Sequence, residues 1–271
     1  MLAALIATVA TAACPPLPGV AALFAKPGVR VIWVGEVHGT TEQPALFGDI
    51  VCAASKTGRP IVVALERSQT EQAVWDMYLA SDGGPAARAA LTNSPEWTSK
   101  FQDGRSSRAI AALAERLRGY KAEGRITAVH MIIPNERPDI SAAEHESLMA
   151  HSVERARDLA PNTLVLAYSG NAHAQKAMNT FRGETYALAA ARLPPNEVLS
   201  IKLGGGSGAI WACEAPTCGP HAYDPPTQGG PRGIVSTGAP EGFDAVAYTG
   251  VPTTASPPAA RPATPVPLSG L

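Results

Sequence analysis

Short apolar runs recur along the chain and are separated by segments with helical spacing. The runs are rich in β-branched residues and bounded on at least one side by Gly or Pro, which is typical of strands buried on both faces. Four such strands are predicted over residues 29–34, 61–65, 126–133 and 164–168. Further strands are expected near residues 186–190, 198–203 and 243–249.

Capping residues introduce the segments between these strands. Ser68 with Glu71 and Ser141 with Glu144 match the capping box that begins many helices. Alternating strands and helices predict an α/β fold, with a mainly parallel central sheet flanked by helices on both faces and a loop-rich C-terminal region. Helices are expected over about 41–55, 68–79, 107–117, 141–160 and 174–181, with irregular loops over 81–104 and 204–242.

The length of 271 residues suits one sizeable α/β domain, expected over residues 13–250. Residues 251–271 are mostly Pro, Ala, Thr and Ser, so we expect an extended or disordered tail. The formal net charge of −1, with no long run of Lys or Arg, argues against nucleic acid as a partner. A small-molecule or peptide substrate is expected instead, and the oligomeric state stays open.

The first residues have the pattern of an export signal. Residues 1–12 are mostly apolar and end in a small-x-small signal-peptidase pattern, which predicts an exported, periplasmic protein starting at Ala13. A segment of the hydrophobic core is the alternative, while a lipoprotein anchored at Cys14 is disfavoured because Thr11 stands where a lipobox prefers Leu. The apolar run is too short to cross a bilayer as a helix, so no transmembrane segment is expected in the mature chain.

The four cysteines form an even set, which suits an oxidising compartment. Three connectivities are open to them. The short spacing from Cys213 to Cys218 could close a local loop and leave Cys14 to pair with Cys52.

Polar side chains follow the predicted strands at the point where each strand ends. Glu36 and His38 follow the first strand, Glu66 and Arg67 the second, and His173 the fourth. Ligands of open α/β sheets bind beyond the carboxyl ends of the strands. We therefore expect these carboxylates and imidazoles to form one site at the rim of the sheet.

The roles expected at this rim follow from the chemistry of the side chains. His173 should lie near a helix N-terminus, which favours the neutral imidazole that a general base or metal ligand requires. Glu36 and Glu66 could orient the imidazoles or act as acid and base. Arg67 and Arg105 are candidates for binding substrate, although either could instead form an ordinary ion pair.

Four segments resemble, in this order, the superfamily that joins erythromycin esterases, ChaN-type haem-binding lipoproteins and the TraB/Tiki proteins. GEVHGTTEQP at residues 35–44 resembles the opening motif of that superfamily, and VALERS at 63–68 resembles its second motif. ESLMAHSVERA at 146–156 is similar to its helix motif, and LVLAYSGNAHA at 164–174 is similar to its late Gly-x-x-His motif. The helix departs from the family pattern, since His145 and Glu146 stand near the position where an Arg is often found.

The resemblance implies an α/β fold with its site at the rim. It leaves open the chemistry of an esterase, of a metal-dependent peptidase and of a haem-binding protein, and three functions are therefore considered. The first is an ester or peptide hydrolase with His38 as general base, Glu36 and Glu66 as supporting carboxylates and His173 as second base or oxyanion partner. A variant uses the same four residues to bind a divalent transition metal ion. The second is a haem-binding envelope protein with Tyr168 as the candidate ligand, and the third is a non-catalytic family member.

Overall fold

The structure of the protein is a computed structural model that describes residues 13–135, 139–214, 217–225 and 229–260. The expected signal peptide over residues 1–12 lies outside these ranges. The strands are β1 (Val31–Glu36), β2 (Ile61–Ser68), β3 (Ala128–Ile133), β4 (Leu164–Gly170), β5 (Met178–Phe181), β6 (Glu184–Ala187), β7 (Val198–Gly206), β8 (Gly208–Glu214), β9 (Thr217–Tyr223), β10 (Gly233–Val235) and β11 (Ala245–Pro252). The α-helices are α1 (Val20–Phe24), α2 (Glu42–Ala54), α3 (Gln72–Leu79), α4 (Pro85–Thr92), α5 (Pro95–Thr98), α6 (Arg108–Ala122), α7 (Ala142–Arg157) and α8 (Asn171–Ala174).

A seven-stranded sheet organises the molecule, in the order β10-β11-β7-β1-β4-β2-β3. All neighbours in it run parallel except the pair β10 and β11. Strands β1, β2 and β4 are adjacent at the centre of the sheet, so their carboxyl ends meet at one rim. The predicted α/β class with a mainly parallel sheet is confirmed.

Both faces of the sheet are covered. One face packs Ile32 and Val34 against apolar side chains of α2 and α6, including Phe47. The other face packs Trp33 and Val165 against α7. Because successive side chains of a strand point to opposite faces, burial on both sides explains why these strands are apolar throughout instead of alternating.

Local turn chemistry explains the main differences from the expected elements. The helix expected over residues 174–181 is wrong: the chain forms a hairpin of β5 and β6 there, because Arg182 and Gly183 both adopt positive φ angles, of 52° and 83°, in the two-residue turn. The loop expected over residues 81–104 contains α4 and α5, each with Pro in its first turn. The loop expected over 204–242 contains the β8–β9 hairpin.

The packed chain continues past the boundary expected at residue 250, to at least Ala260. Thr253 and Ser256 are buried, and bridges join Ala255 to Thr40 and Pro258 to Ser107. The start of the expected tail is therefore extended and packed on the domain, while residues 261–271 lie outside the described ranges.

Two disulfides close parts of this fold. Cys14 pairs with Cys52 of α2, and Cys213 pairs with Cys218 across the β8–β9 hairpin. This is one of the three connectivities that the sequence allowed. Among the helices of the described ranges, none has the length and apolar character needed to cross a membrane.

Candidate active site

The central strands bring the expected polar residues together at one rim. Glu36 ends β1 and stands opposite Gly170, which ends β4, in the strand register. Glu66 lies in β2 on the other side of β4, just after the paired residues Leu65 and Tyr168. The three strand ends thus place Glu36, His38, Glu66 and His173 around a common point.

The first Glu–His pair is formed within one short segment. Nδ1 of His38 lies 2.8 Å from Oε1 of Glu36. The other oxygen of Glu36 accepts a hydrogen bond from the hydroxyl of Tyr168. Both Glu36 and Tyr168 are buried, and the Tyr168 ring stacks on Phe47 at 4.5 Å between centroids. The carboxylate is therefore held from both sides, and it orients the imidazole of His38.

The second Glu–His pair is assembled from distant parts of the chain. Nδ1 of His173, in α8, lies 2.7 Å from Oε1 of Glu146, in α7. The other oxygen of Glu146 accepts a hydrogen bond of 2.8 Å from the backbone N–H of Ala189. Sequence reasoning missed Glu146 as a site residue. Its signal was a carboxylate on the apolar stripe of α7, which continues at Met149 and Val153.

Glu66 lies between the two imidazoles. Its Oε2 is 3.6 Å from Nε2 of His38, and its Oε1 is 3.8 Å from Nε2 of His173. The same carboxylate accepts hydrogen bonds of 2.6 Å from the Gly170 N–H and 3.2 Å from the Arg105 guanidinium. Glu66 is only 7% exposed, whereas the side chains of His38 and His173 are 25% and 22% exposed. The imidazoles therefore face solvent and the carboxylates lie behind them.

The charged groups of this cluster shift one another's pKa values. Burial acts to lower the pKa of His38, but Glu66 and Glu36 outweigh it and raise the pKa well above its usual value. Burial also acts to lower the pKa of His173, but the carboxylates of Glu146 and Glu66 outweigh it and raise the pKa. Burial acts to raise the pKa of Glu66, yet His38, His173 and Arg105 hold it well below its usual range.

These shifts correct the expectation of a neutral His173. Helix α8 has only four residues, and two carboxylates face the imidazole, so the charged form is favoured.

Glycine at two positions lets the elements of the site approach each other. A Cβ at Gly170 would lie 3.1 Å from Nε2 of His38. A Cβ at Gly35 would lie 2.9 Å from that of Ala174 and 2.8 Å from Oδ1 of Asn171. The glycine in each Gly-x-x-His segment therefore serves close packing between β1 and the segment that carries His173.

Arg105 and Arg67 differ in whether their guanidinium groups are accessible to a substrate. Arg105 is 33% exposed and is held at the rim by Asp103, at 2.7 Å, and by Glu66. Arg67 is buried, paired with Glu71 at 2.5 Å and stacked 4.7 Å over the ring of Trp97. Its guanidinium donates to the backbone oxygen of Arg105. This corrects the expectation that Arg67 binds substrate, because its burial leaves it supporting Arg105 from below.

Neither cofactor considered from the sequence fits the donor atoms. Tyr168 is buried under Phe47 and its hydroxyl is engaged by Glu36, so it has no face open to a haem iron. Within the ranges that the structure describes, no group of three or more His, Cys, Asp or Glu is arranged to hold a metal ion. The central carboxylate, Glu66, is already engaged by the Arg105 cation.

No protein-family model matches the chain, and no curated protein matches it either. Solved structures do match. A mutant of the erythromycin esterase EreC in its open conformation has a TM-score of 0.60 at 11% identity, over 89% of this chain and 90% of that one. A Bacillus cereus protein has a TM-score of 0.61 at 11% identity, over 86% and 90%. A succinoglycan biosynthesis protein has a TM-score of 0.53 at 12% identity, over 74% and 72%.

At such identities the likeness shows a shared fold. The chain therefore has the same fold as the erythromycin esterase structure, and the resemblance drawn from its motifs is confirmed at that level.

Proposed function

We propose that the protein is a hydrolase of ester or peptide bonds, with its active site at the rim formed by β1, β2 and β4. The observation that carries the proposal is the pair of Glu-backed imidazoles that face one buried carboxylate. An imidazole whose Nδ1–H is fixed by a carboxylate presents Nε2 for proton transfer, which is the arrangement of general acid–base catalysis. The shared fold with an erythromycin esterase adds support.

In this proposal His38 is the general base and His173 the acid. Glu36 holds Nδ1 of His38 and stabilises the imidazolium that forms when the neutral His38 takes a proton from water. His173, charged beside Glu146, offers its Nε2–H to the leaving group. Arg105 stands beside them at the rim and can stabilise the developing oxyanion.

The first experiment is a panel of esters and peptides assayed with and without Mn²⁺, Co²⁺ and Zn²⁺. His38→Ala should lower kcat/KM on the active substrates by about 10²–10⁴-fold, the usual contribution of a general base. His151→Ala is the matched control, because His151 lies exposed on α7 and pairs with Glu154 of the same helix. Activity that survives in His38→Ala refutes the assignment, as does an equal loss in the control.

A second comparison separates the acid from the base. A p-nitrophenyl ester needs no proton on its leaving group, whereas an alkyl ester does. His173→Ala should therefore retain more activity on the p-nitrophenyl ester than on the alkyl ester, while His38→Ala loses both. The opposite pattern would exchange the two roles.

We also propose that the protein is exported to the periplasm, with the mature chain starting at Ala13. The two disulfides support this, because such bonds persist in oxidising compartments. Thiol trapping followed by mass spectrometry should find all four cysteines oxidised in protein isolated from its host, and N-terminal sequencing should begin at Ala13. Free thiols in most of the chains would contradict export.

A further inference from the structure

A second cavity lies away from the rim, between α3, α4, α6 and the segment that follows β11. Its volume is about 410 Å³. This falls within the range of roughly 300–1,000 Å³ that is usual for small-molecule sites. It shares no lining residue with the Glu–His pairs. We call it the α4–α6 groove, lined among others by Arg88, Leu91, Arg108, Ala111 and Ala112.

The groove exists because of side-chain size on α6. Residues 108, 111, 112 and 115 recur at helical spacing, so they line one stripe of the helix that borders the groove. Ala111 and Ala112 are too short to fill the space between this stripe and α4. From α4, Leu91 contributes a buried apolar wall. The space between the helices is therefore hollow and largely apolar.

Two arginines line the same groove, together with one carboxylate, Glu115. Arg108 stands in the first turn of α6, where the helix dipole disfavours a cation. In the part of the chain that the structure describes, its guanidinium makes no hydrogen bond or ion pair. Arg88 is 61% exposed, and its partner Glu115 is 4.0 Å away.

Glu115 is itself committed elsewhere. It pairs with Arg118 at 2.7 Å and accepts a hydrogen bond of 2.6 Å from the hydroxyl of Tyr78. Glu115 therefore does not neutralise both arginines, and the groove combines an apolar interior with excess positive charge.

We propose that the α4–α6 groove binds a small amphipathic anion, a carboxylate on a medium-length aliphatic chain. The carboxylate lies with Arg88 and Arg108, and the chain covers Leu91, Ala111 and Ala112. The complementarity is one of charge and of polarity: the arginines supply the donors that carboxylates prefer, and the small side chains leave room for the chain.

Calorimetric titration of the full chain with decanoate tests this. Wild type should bind one equivalent saturably, and decan-1-ol should bind at least tenfold more weakly because it lacks the charge. Arg108→Gln should weaken decanoate about tenfold, the loss expected for one charged hydrogen bond. Ala112→Leu, at an exposed position, should weaken both ligands by filling the groove without disturbing the core. Arg182→Gln, on the β5–β6 turn, is the matched control.

Several outcomes overturn the proposal. Equal affinity for decanoate and decan-1-ol removes the role of the arginines, and an unchanged dissociation constant in Arg108→Gln does the same. If Arg182→Gln weakens decanoate binding as much as Arg108→Gln does, the attraction depends on the overall charge of the protein and not on the groove. Binding that appears only after truncation at Ala260 assigns the groove to the chain's own last residues instead.

Discussion

The two Glu–His pairs make the same contact but are built in different ways. Glu36 and His38 stand two residues apart at the end of one strand, so the strand alone brings them close. Glu146 and His173 are separated by 27 residues and sit on two helices that must pack correctly before the contact forms. Local spacing is visible in a sequence, whereas a contact between packed helices is not. The comparison explains why one pair was expected and the other was half missed.

The pairs also differ in how their carboxylates are held. Glu36 is held by a side chain, the Tyr168 hydroxyl, within the packed core of the sheet. Glu146 is held by a backbone N–H, that of Ala189, just beyond the β5–β6 hairpin. The second carboxylate therefore joins α7, α8 and the segment after the hairpin. We expect Glu146 to matter for stability as well as for chemistry.

The largest effect is expected at Glu66, which serves both pairs. Glu66→Gln removes the charge that faces both imidazoles, and we expect kcat/KM to fall by about 10³-fold, as when a main electrostatic contact of an active site is lost. NMR titration should show the pKa values of His38 and His173 both lowered, because each is raised in part by this carboxylate. A shift at only one of the histidines would contradict a shared role.

The next effect distinguishes the pairs from each other. Glu36→Gln and Glu146→Gln should each lower kcat/KM by roughly 10²-fold, because the imidazole loses the acceptor that fixes its tautomer. Glu146→Ala should also cost about 1–3 kcal/mol of unfolding free energy, since it leaves the buried Ala189 N–H without its acceptor. Urea unfolding measures this. The exposed His151→Ala is a control on the same helix, and an equal loss of unfolding free energy there would contradict a specific role of Glu146.

The smallest effect is on the pH dependence, where stability and activity should diverge. The raised pKa values of His38 and His173 mean that their stabilisation is complete below the ordinary value of 6.5 and is lost as pH rises through the raised values. The lowered pKa of Glu66 means that its stabilisation is present above 4.5 and is lost as pH falls through the lowered value.

The melting temperature should therefore be highest between about pH 4.5 and 6.5. Activity should instead have its maximum above pH 6.5, because His38 must lose its proton to act as the base while His173 must keep its proton to act as the acid, and both pKa values are raised. Coincident maxima of the two profiles would argue against His38 as the base.

The sequence by itself determined the class of fold and the candidate site except for Glu146. Apolar runs separated by capped helical segments specify a parallel sheet covered on both faces, since burial on both sides requires continuous apolar strands. The ends of those strands then place Glu36, His38, Glu66 and His173 at one rim, because parallel strands share a carboxyl edge. These inferences need only periodicity and chain direction.

Only the tertiary structure decided the partners of these groups. Glu146 joins the site, Arg67 is withdrawn beneath Arg105, Tyr168 is closed to a haem, and the hairpin of β5 and β6 replaces an expected helix. Each depends on a side chain that is polar but buried, or on a turn whose backbone angles are set locally. Whether a buried polar group finds its partner depends on elements far away in the chain, and packing alone brings those elements together.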